Sequence, residues 1–301
     1  MHSHWYNATV VLLWLAAMTW LVCKKMVPTL LVGEPPSSRT ILAARQDEPL
    51  VGWDISWDGR RLGWALNRTM PTVGGMVEIH SRVHFEQIPL SQSVPSWFRE
   101  VFGQFSGRLQ MELDNTLAYD ALGRPTRFES AVRFLPVEEP VIKVKGTIDG
   151  AQMLLTIRSA EFSYETQLAA PRNAILNDAM SPQTRLPGLR EGQSWTVEVY
   201  SPLQPPDPGN PKDPREILLA KVEGKEPVLW EGRPVLAWVV VYRSDSATAS
   251  HHAAKPVGKV WVRPDGVILK QQVIFFGSTV TFMRLSDAQA VALAGQVRYR
   301  P

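Results

Sequence analysis

The sequence predicts a mainly β protein: one N-terminal transmembrane helix, then a large curled antiparallel sheet, half-barrel-like, with one or two short helices. Three observations predict it. An uncharged apolar run fills Ala8–Val22. From Leu50 almost to the C-terminus, apolar and polar residues alternate with the period of two that marks half-buried strands. Asp58–Gly59, Asp149–Gly150 and Asp265–Gly266 punctuate that alternation with pairs suited to tight hairpin turns needing positive φ.

In the apolar run only Thr9 and Thr19 interrupt Val, Leu, Trp, Ala and Met. A helix from Trp5 to Cys23, rising about 1.5 Å per residue, reaches roughly 28 Å against a hydrocarbon core of ~30 Å. Trp5 and Tyr6 at one end and Trp20 at the other are rings that favour the lipid–water boundary, with Trp14 between them, and Lys24 and Lys25 close the segment. Residues 1–27 are therefore expected to be a single-pass membrane anchor carrying these six residues. Cleavage as a signal peptide is not expected, because Met1–Asn7 has no Lys or Arg and Trp20–Leu21–Val22 is bulky where the cut needs small residues. Val22 is likewise a poor neighbour for a lipid-modified Cys23. A soluble core helix would confine its apolar residues to one stripe, which these do not respect. The basic residues Lys24, Lys25, Arg39 and Arg45 all follow the run, a bias that by itself favours a cytoplasmic C-terminal side.

Composition narrows the function classes. The 301 residues are 45% hydrophobic and 20% charged, enough to build a substantial core. A net charge of +3 without a dense Lys/Arg cluster leaves no footprint for nucleic acid. The single cysteine, Cys23, excludes an internal disulfide, a thiolate metal site and cysteine nucleophiles beyond the membrane edge.

Residues 28–49 mix Pro, Ser, Gly and charge and are expected to be a juxtamembrane linker, with Leu30, Leu31, Ile41 and Leu42 able to dock locally. The β-domain is expected over 50–301. Its first hairpin pairs Val51–Trp57 with Arg61–Thr69; Trp53, Ile55 and Trp57 share one face, Leu62, Trp64 and Leu66 another, and the two are expected to meet. Strands follow at 76–88, 109–119, 125–135, 141–148, 152–157 and 164–168. Ser93–Phe102 has the cap, early proline and spacing of a short helix able to plug the end of a curved sheet. The loop-rich Pro171–Gly192 divides an early half of the sheet from a late half, whose strands are expected at 194–200, 217–222, 235–243, 259–263, 267–276 and 279–285. Pro202–Pro214 should be an extended, exposed loop. Ser286 and Gln289 form a capping box for a closing helix. About eleven to thirteen antiparallel strands in a meander would twist into a half-barrel or split in two.

Three stretches resemble a known family: 52–64 (GWDISWDGRRLGW), 186–195 (LPGLREGQSW) and 260–272 (VWVRPDGVILKQQ). They are similar to uncharacterised bacterial envelope domains, related in shape to lipoprotein-localisation half-barrels and sometimes placed ahead of transglutaminase-like domains. The resemblance implies an extracytoplasmic, periplasmic domain on the inner membrane, against the charge bias after the helix; large domains cross largely regardless of nearby charge. It implies no catalytic residues.

The motifs of common chemistries are missing. Gly192-Gln193-Ser194-Trp195-Thr196 lacks the second glycine of a nucleophile elbow and leads into a strand. No phosphate-binding loop or nucleotide fingerprint occurs. His80 and His84, four apart in a strand, stand about 13 Å from each other and cannot share a metal. His251–His252 has no ligand partner nearby in sequence. No metal and no cofactor is expected. The remaining signal is aromatic: Trp53, Trp57, Trp64, Trp97, Phe98, Phe102, Trp195, Trp238 and Trp261 either pack the core or line an apolar groove on the concave face. The expectation is a non-catalytic binding or scaffold protein whose partners are membrane lipid and a membrane-associated protein. The alternative is an envelope hydrolase whose active residues converge only in three dimensions.

Overall fold

The computed structural model describes residues 3–21, 36–46, 50–86, 110–137, 139–159, 163–169, 181–200, 215–244, 256–275 and 277–297. Helix α1 spans Ser3–Leu21 and α2 spans Ser38–Gln46. An early arm of strands follows: β1 (Leu50–Trp57), β2 (Arg60–Pro71), β3 (Val77–Phe85), β4 (Gln110–Tyr119), β5 (Pro125–Leu135), β6 (Ile142–Asp149), β7 (Gln152–Ser159) and β8 (Ser163–Ala169). The late arm is β9 (Ser194–Tyr200), β10 (Arg215–Trp230), β11 (Arg233–Ser244), β12 (Pro256–Val262), β13 (Ile268–Phe275) and β14 (Ser278–Arg284), and α3 (Asp287–Gln296) closes the chain.

Among the described residues, 14 strands form one antiparallel sheet in the order β8-β7-β6-β5-β4-β3-β2-β1-β14-β13-β12-β11-β10-β9. The chain starts at the centre, meanders out to one edge, reappears at the other and works back until β14 pairs with β1. A meander of eleven to thirteen strands is thus corrected to 14, with the two arms joined side by side rather than end to end.

One cross-strand row explains the core. From Val240 through Val260, Gln271, Phe282, Ile55, Gly63, Phe85 and Met111 to Phe134, directly opposed residues share a face of the sheet. Ile55, Phe85, Phe134 and Phe282 on that face are at most 1% exposed. Burying each such side chain stabilises the fold by about 1.5–3 kcal/mol. A twisted sheet this wide covers its own apolar face by curling, and that face is the concave one. A second cluster around Val239, Trp261 and Leu269 packs on the convex face of the late arm.

Turn chemistry agrees with the sequence. Asp58 and Gly59 hold φ of +46° and +81°, and Gly266 holds +87°. The box of Ser286 and Gln289 is formed in full at the start of α3. β10 departs from expectation: it runs to Trp230 rather than ending near Val222. Gly224 and Pro227 look like strand breakers, but β9 pairs only with Arg215–Lys221. Beyond that point β10 is itself the outer strand, where a bulge and a proline are tolerated.

At the N-terminus, α1 is helical as expected, and Val11, Leu12, Leu13, Trp14 and Leu15 are all at least half exposed. The expected spanning helix is corrected: among the described residues no helix is long and apolar enough to cross a membrane. His4, Asn7, Thr9 and Thr19 dilute the apolar character of its 19 residues. The segment expected as a linker contains α2, whose Ile41 and Leu42 are buried against the sheet. The helix expected at Ser93–Phe102 lies outside the described residues; α2 occupies the kind of position envisaged for it, with Leu42 packed on Val77, Ile79 and Tyr119 at one end of the concave face.

Candidate functional site

The concave face is spanned by residues 181–193, an irregular strap that connects toward β9. Irregular backbone carries N–H and C=O groups that a buried, apolar surface leaves unpaired, so polar side chains must be supplied where it crosses. The sheet supplies them. The Trp53 indole N–H donates to Asn67 Oδ1 at 3.0 Å, and the Asn67 amide donates to the Pro182 carbonyl at 3.3 Å. Ser181 Oγ donates to Ser81 Oγ at 2.5 Å. Gln271 Oε1 accepts the Gln183 N–H at 3.1 Å, and Arg284 Nη1 donates to the Thr184 carbonyl at 3.2 Å. Asn67, Ser81, Gln271 and Arg284 are each at most 7% exposed. Farther along, Leu186 is completely buried and its N–H donates to the Gly266 carbonyl at 2.8 Å. The Gln193 carbonyl accepts from Val222 N–H at 2.9 Å where the strap meets the late edge.

The expected aromatic groove is not assembled as one surface. Trp53 and Trp195 lie in the concave core, Trp57 packs partly against it, and Trp238 borders it with Lys225 Nζ 4.1 Å above its ring. Trp64 and Trp261 are on the convex face. The cause for Trp64 is a bulge between Ile55 and Ser56: Trp53 faces Ala65, Trp64 faces Asp54, and Leu62 takes the inward place. The expectation that Leu62, Trp64 and Leu66 meet Trp53 as one face is thereby corrected. Trp64 stacks on His84 with centroids 5.2 Å apart, and Trp261 donates to Glu226 Oε2 at 3.0 Å beneath Lys270 Nζ. Desolvation holds the Lys270 ammonium below its ordinary range. Trp97, Phe98 and Phe102 lie outside the described residues. Of the anchor residues, Trp5 and Tyr6 fall within α1, Trp14 and Trp20 are well exposed on it, and Lys24 and Lys25 lie outside the described residues.

The two strand histidines belong to a lattice of ion pairs on the convex face of the early arm. His84 Nδ1 lies 3.2 Å from Glu112 Oε1, a contact that holds the Glu112 carboxyl below its usual value. His80 Nδ1 lies 3.2 Å from Thr116 Oγ1. Arg82 Nε pairs with one Asp114 oxygen at 2.6 Å while Arg133 takes the other. Among the described residues no group of three His, Cys, Asp or Glu side chains is placed to hold a metal ion.

A shallow cleft of about 410 Å³ opens between the β10–β11 hairpin, the end of β14 and the start of α3, lined by Leu229, Trp230, Met283, Leu285 and Gln289. The strap is what sequence reasoning missed as a site element. Its signal was present in the placement of Asn67, Ser81 and Gln271 at positions where the strand alternation calls for apolar residues.

No protein-family model matches the chain, and no match was found among curated proteins. Two solved structures are similar in outline. A beta-barrel-like protein of domain of unknown function DUF1849 from Brucella abortus has a TM-score of 0.46 at 9% identity, over 78% of this chain and 95% of that one. The hypothetical lipoprotein YmcC from Escherichia coli K12 has a TM-score of 0.29 at 12% identity, over 87% of this chain and 94% of that one. At these scores neither likeness carries a functional argument.

Proposed function

We propose that the chain is a non-catalytic binding domain held at the membrane on the extracytoplasmic side of the cell envelope, where its half-barrel takes a lipid acyl chain or a hydrophobic segment of a membrane-associated protein. The carrying observation is that the sheet stays open. β8 and β9 are consecutive in the chain yet lie at opposite edges, and the 181–193 strap spans the concave face between them by side chains gripping its backbone. The apolar side chains of that face are buried and its polar groups hold the strap, so an acyl chain or apolar peptide is taken up between sheet and strap as the strap is displaced. An outer strand also accepts an added one. α1 supplies the tether: five consecutive exposed apolar residues, Val11–Leu15, cover every side of the helix, a surface that water disfavours and lipid accepts. The three stretches that resemble envelope domains support the extracytoplasmic side.

The test is purification of the full chain in mild detergent with mass spectrometry of what accompanies it. Bound lipid or a stoichiometric membrane protein is the expected result. A full chain recovered without detergent as a monomer, carrying neither, overturns the reading.

A further inference from the structure

The β-domain has two rims, and the registers assign each hairpin to one of them. Leu50, which begins β1, pairs with Arg68 near the end of β2, and β14 ends with Arg284 opposite Trp53. Following the pairing outward places the β2–β3, β4–β5, β6–β7, β10–β11 and β12–β13 turns on the rim where β1 begins. The β1–β2 turn at Asp58–Gly59 is on the opposite rim.

Large apolar side chains stand in water at both rims, but the most exposed are at the first; at the opposite rim Val137, Tyr164, Ile217 and Ile274 are 41–48% exposed. At the first, Val73 is 88% exposed, Leu122 59%, Leu229 68% and Leu236 54%. They fall at two points. The β2–β3 and β4–β5 turns touch, since a Cβ on Gly75 would lie 3.4 Å from Ala121 Cβ, which brings Val73, Met76 and Leu122 together. At the tip of the β10–β11 hairpin, Pro227 faces Leu236 and Leu229 faces Pro234. None of these side chains covers the core, and a turn in water has no use for them.

The chain itself says what lies near this rim. α2 packs there, with the Arg39 backbone within 3.0 Å of where a Cβ on Gly123 would be. Only residues 22–35 separate α1 from the start of the α2 segment, and 14 residues span at most roughly 50 Å. The segment that leads from the helix with apolar side chains on every side thus joins the β-domain at the rim that carries the exposed hairpin tips; its reach spans either rim, and the tips themselves single out this one. Arg39 stands on the same rim at the β4–β5 turn, and Arg233 follows Glu231 at the β10–β11 turn.

The geometry points to a membrane-docking rim: the tips bearing Val73, Met76 and Leu122 and those bearing Leu229 and Leu236 dip into the interfacial layer of the bilayer to which α1 is tethered. The inference rests on the tether reading above and deepens it by assigning an orientation, concave face upright over the lipid surface with one rim down. Two apolar contacts on a curled sheet, plus a helical tether, fix an orientation that a tether alone leaves free.

The experiment uses the full chain with Cys23→Ser and one introduced cysteine, Leu122→Cys, Leu229→Cys or, on the opposite rim, Arg60→Cys, each labelled with an environment-sensitive fluorophore. All three positions are exposed, and unchanged circular dichroism checks the fold. The variants are mixed with phosphatidylethanolamine–phosphatidylglycerol vesicles carrying nitroxide-labelled acyl chains, and flotation is measured alongside. Co-flotation with blue-shifted, nitroxide-quenched emission at Leu122→Cys and Leu229→Cys, and unquenched emission at Arg60→Cys, is the expected result. Co-flotation with equal emission at all three positions overturns the docking rim and leaves the tether standing. Absence of co-flotation removes the tether reading and the docking rim together.

Discussion

The Trp53 indole N–H donates at 3.0 Å to Asn67 Oδ1, and both residues are buried on the concave face. The same Asn67 donates through its amide to the Pro182 carbonyl, so one side chain satisfies a buried tryptophan and grips the strap. Asn67→Ala strands the indole N–H and the carbonyl at once. Two unmet buried groups at about 1–3 kcal/mol each predict a loss of roughly 2–6 kcal/mol. Urea denaturation reads this as a lower midpoint, and trypsin cleavage after Arg185 or Arg190 should accelerate as the strap loosens.

Gly266 tests the strap from the other side. At φ +87° it would carry a Cβ 2.8 Å from Pro187 Cα, whereas Gly59 at φ +81° faces open space. Gly59→Ala should cost about 1–2 kcal/mol, the price of a left-handed backbone alone. Gly266→Ala should cost clearly more, because the strap must also move. Equal losses in thermal melts would mean that Pro187 yields freely.

The two tryptophans of the first hairpin should separate in the same assay. Trp53 is completely buried in the concave core, so Trp53→Ala is expected to cost about 3–5 kcal/mol. Trp64 stacks on His84 on the convex face and is 8% exposed, so Trp64→Ala is expected to cost somewhat less, about 2–4 kcal/mol. A larger loss at Trp64 would contradict the assignment of faces.

Acid should weaken the fold through the convex lattice. The hydrogen bond to His84 holds Glu112 below the ordinary carboxylate value, so its contribution is present above about pH 4.5 and is lost as pH falls through the lower folded value. Glu129, lowered by Lys143 and Lys145, acts in the same direction. Asp54 has the opposite sign: burial raises its carboxyl, so protonation there favours the folded state and offsets part of the loss. Denaturation midpoints measured across this range should fall with pH, and Glu112→Gln should flatten the fall. An unchanged slope in that variant would remove Glu112 from the account.

How far the sequence carries is clearest at particular elements. The Asp58–Gly59 turn, the alternation of Val77, Ile79, Val83 and Phe85 and the capping box of α3 were legible because each is set by neighbours a few residues away. The face taken by Trp64 was not, because a single bulged residue reverses a side chain and no local pattern marks the bulge. Nor was the length of β10, since tolerance of Pro227 depends on where β9 stops.

By itself, then, the sequence determined a β-rich body of sequential hairpins behind an apolar helix, since turn geometry and side-chain period are short-range properties of the backbone. Only the tertiary structure decided that β14 closes on β1, that Asn67, Ser81, Gln271 and Arg284 grip the 181–193 segment, and that exposed hairpin tips gather on the rim beside α2. Those outcomes join residues up to more than two hundred positions apart, and they are set by the register and curl of the whole sheet.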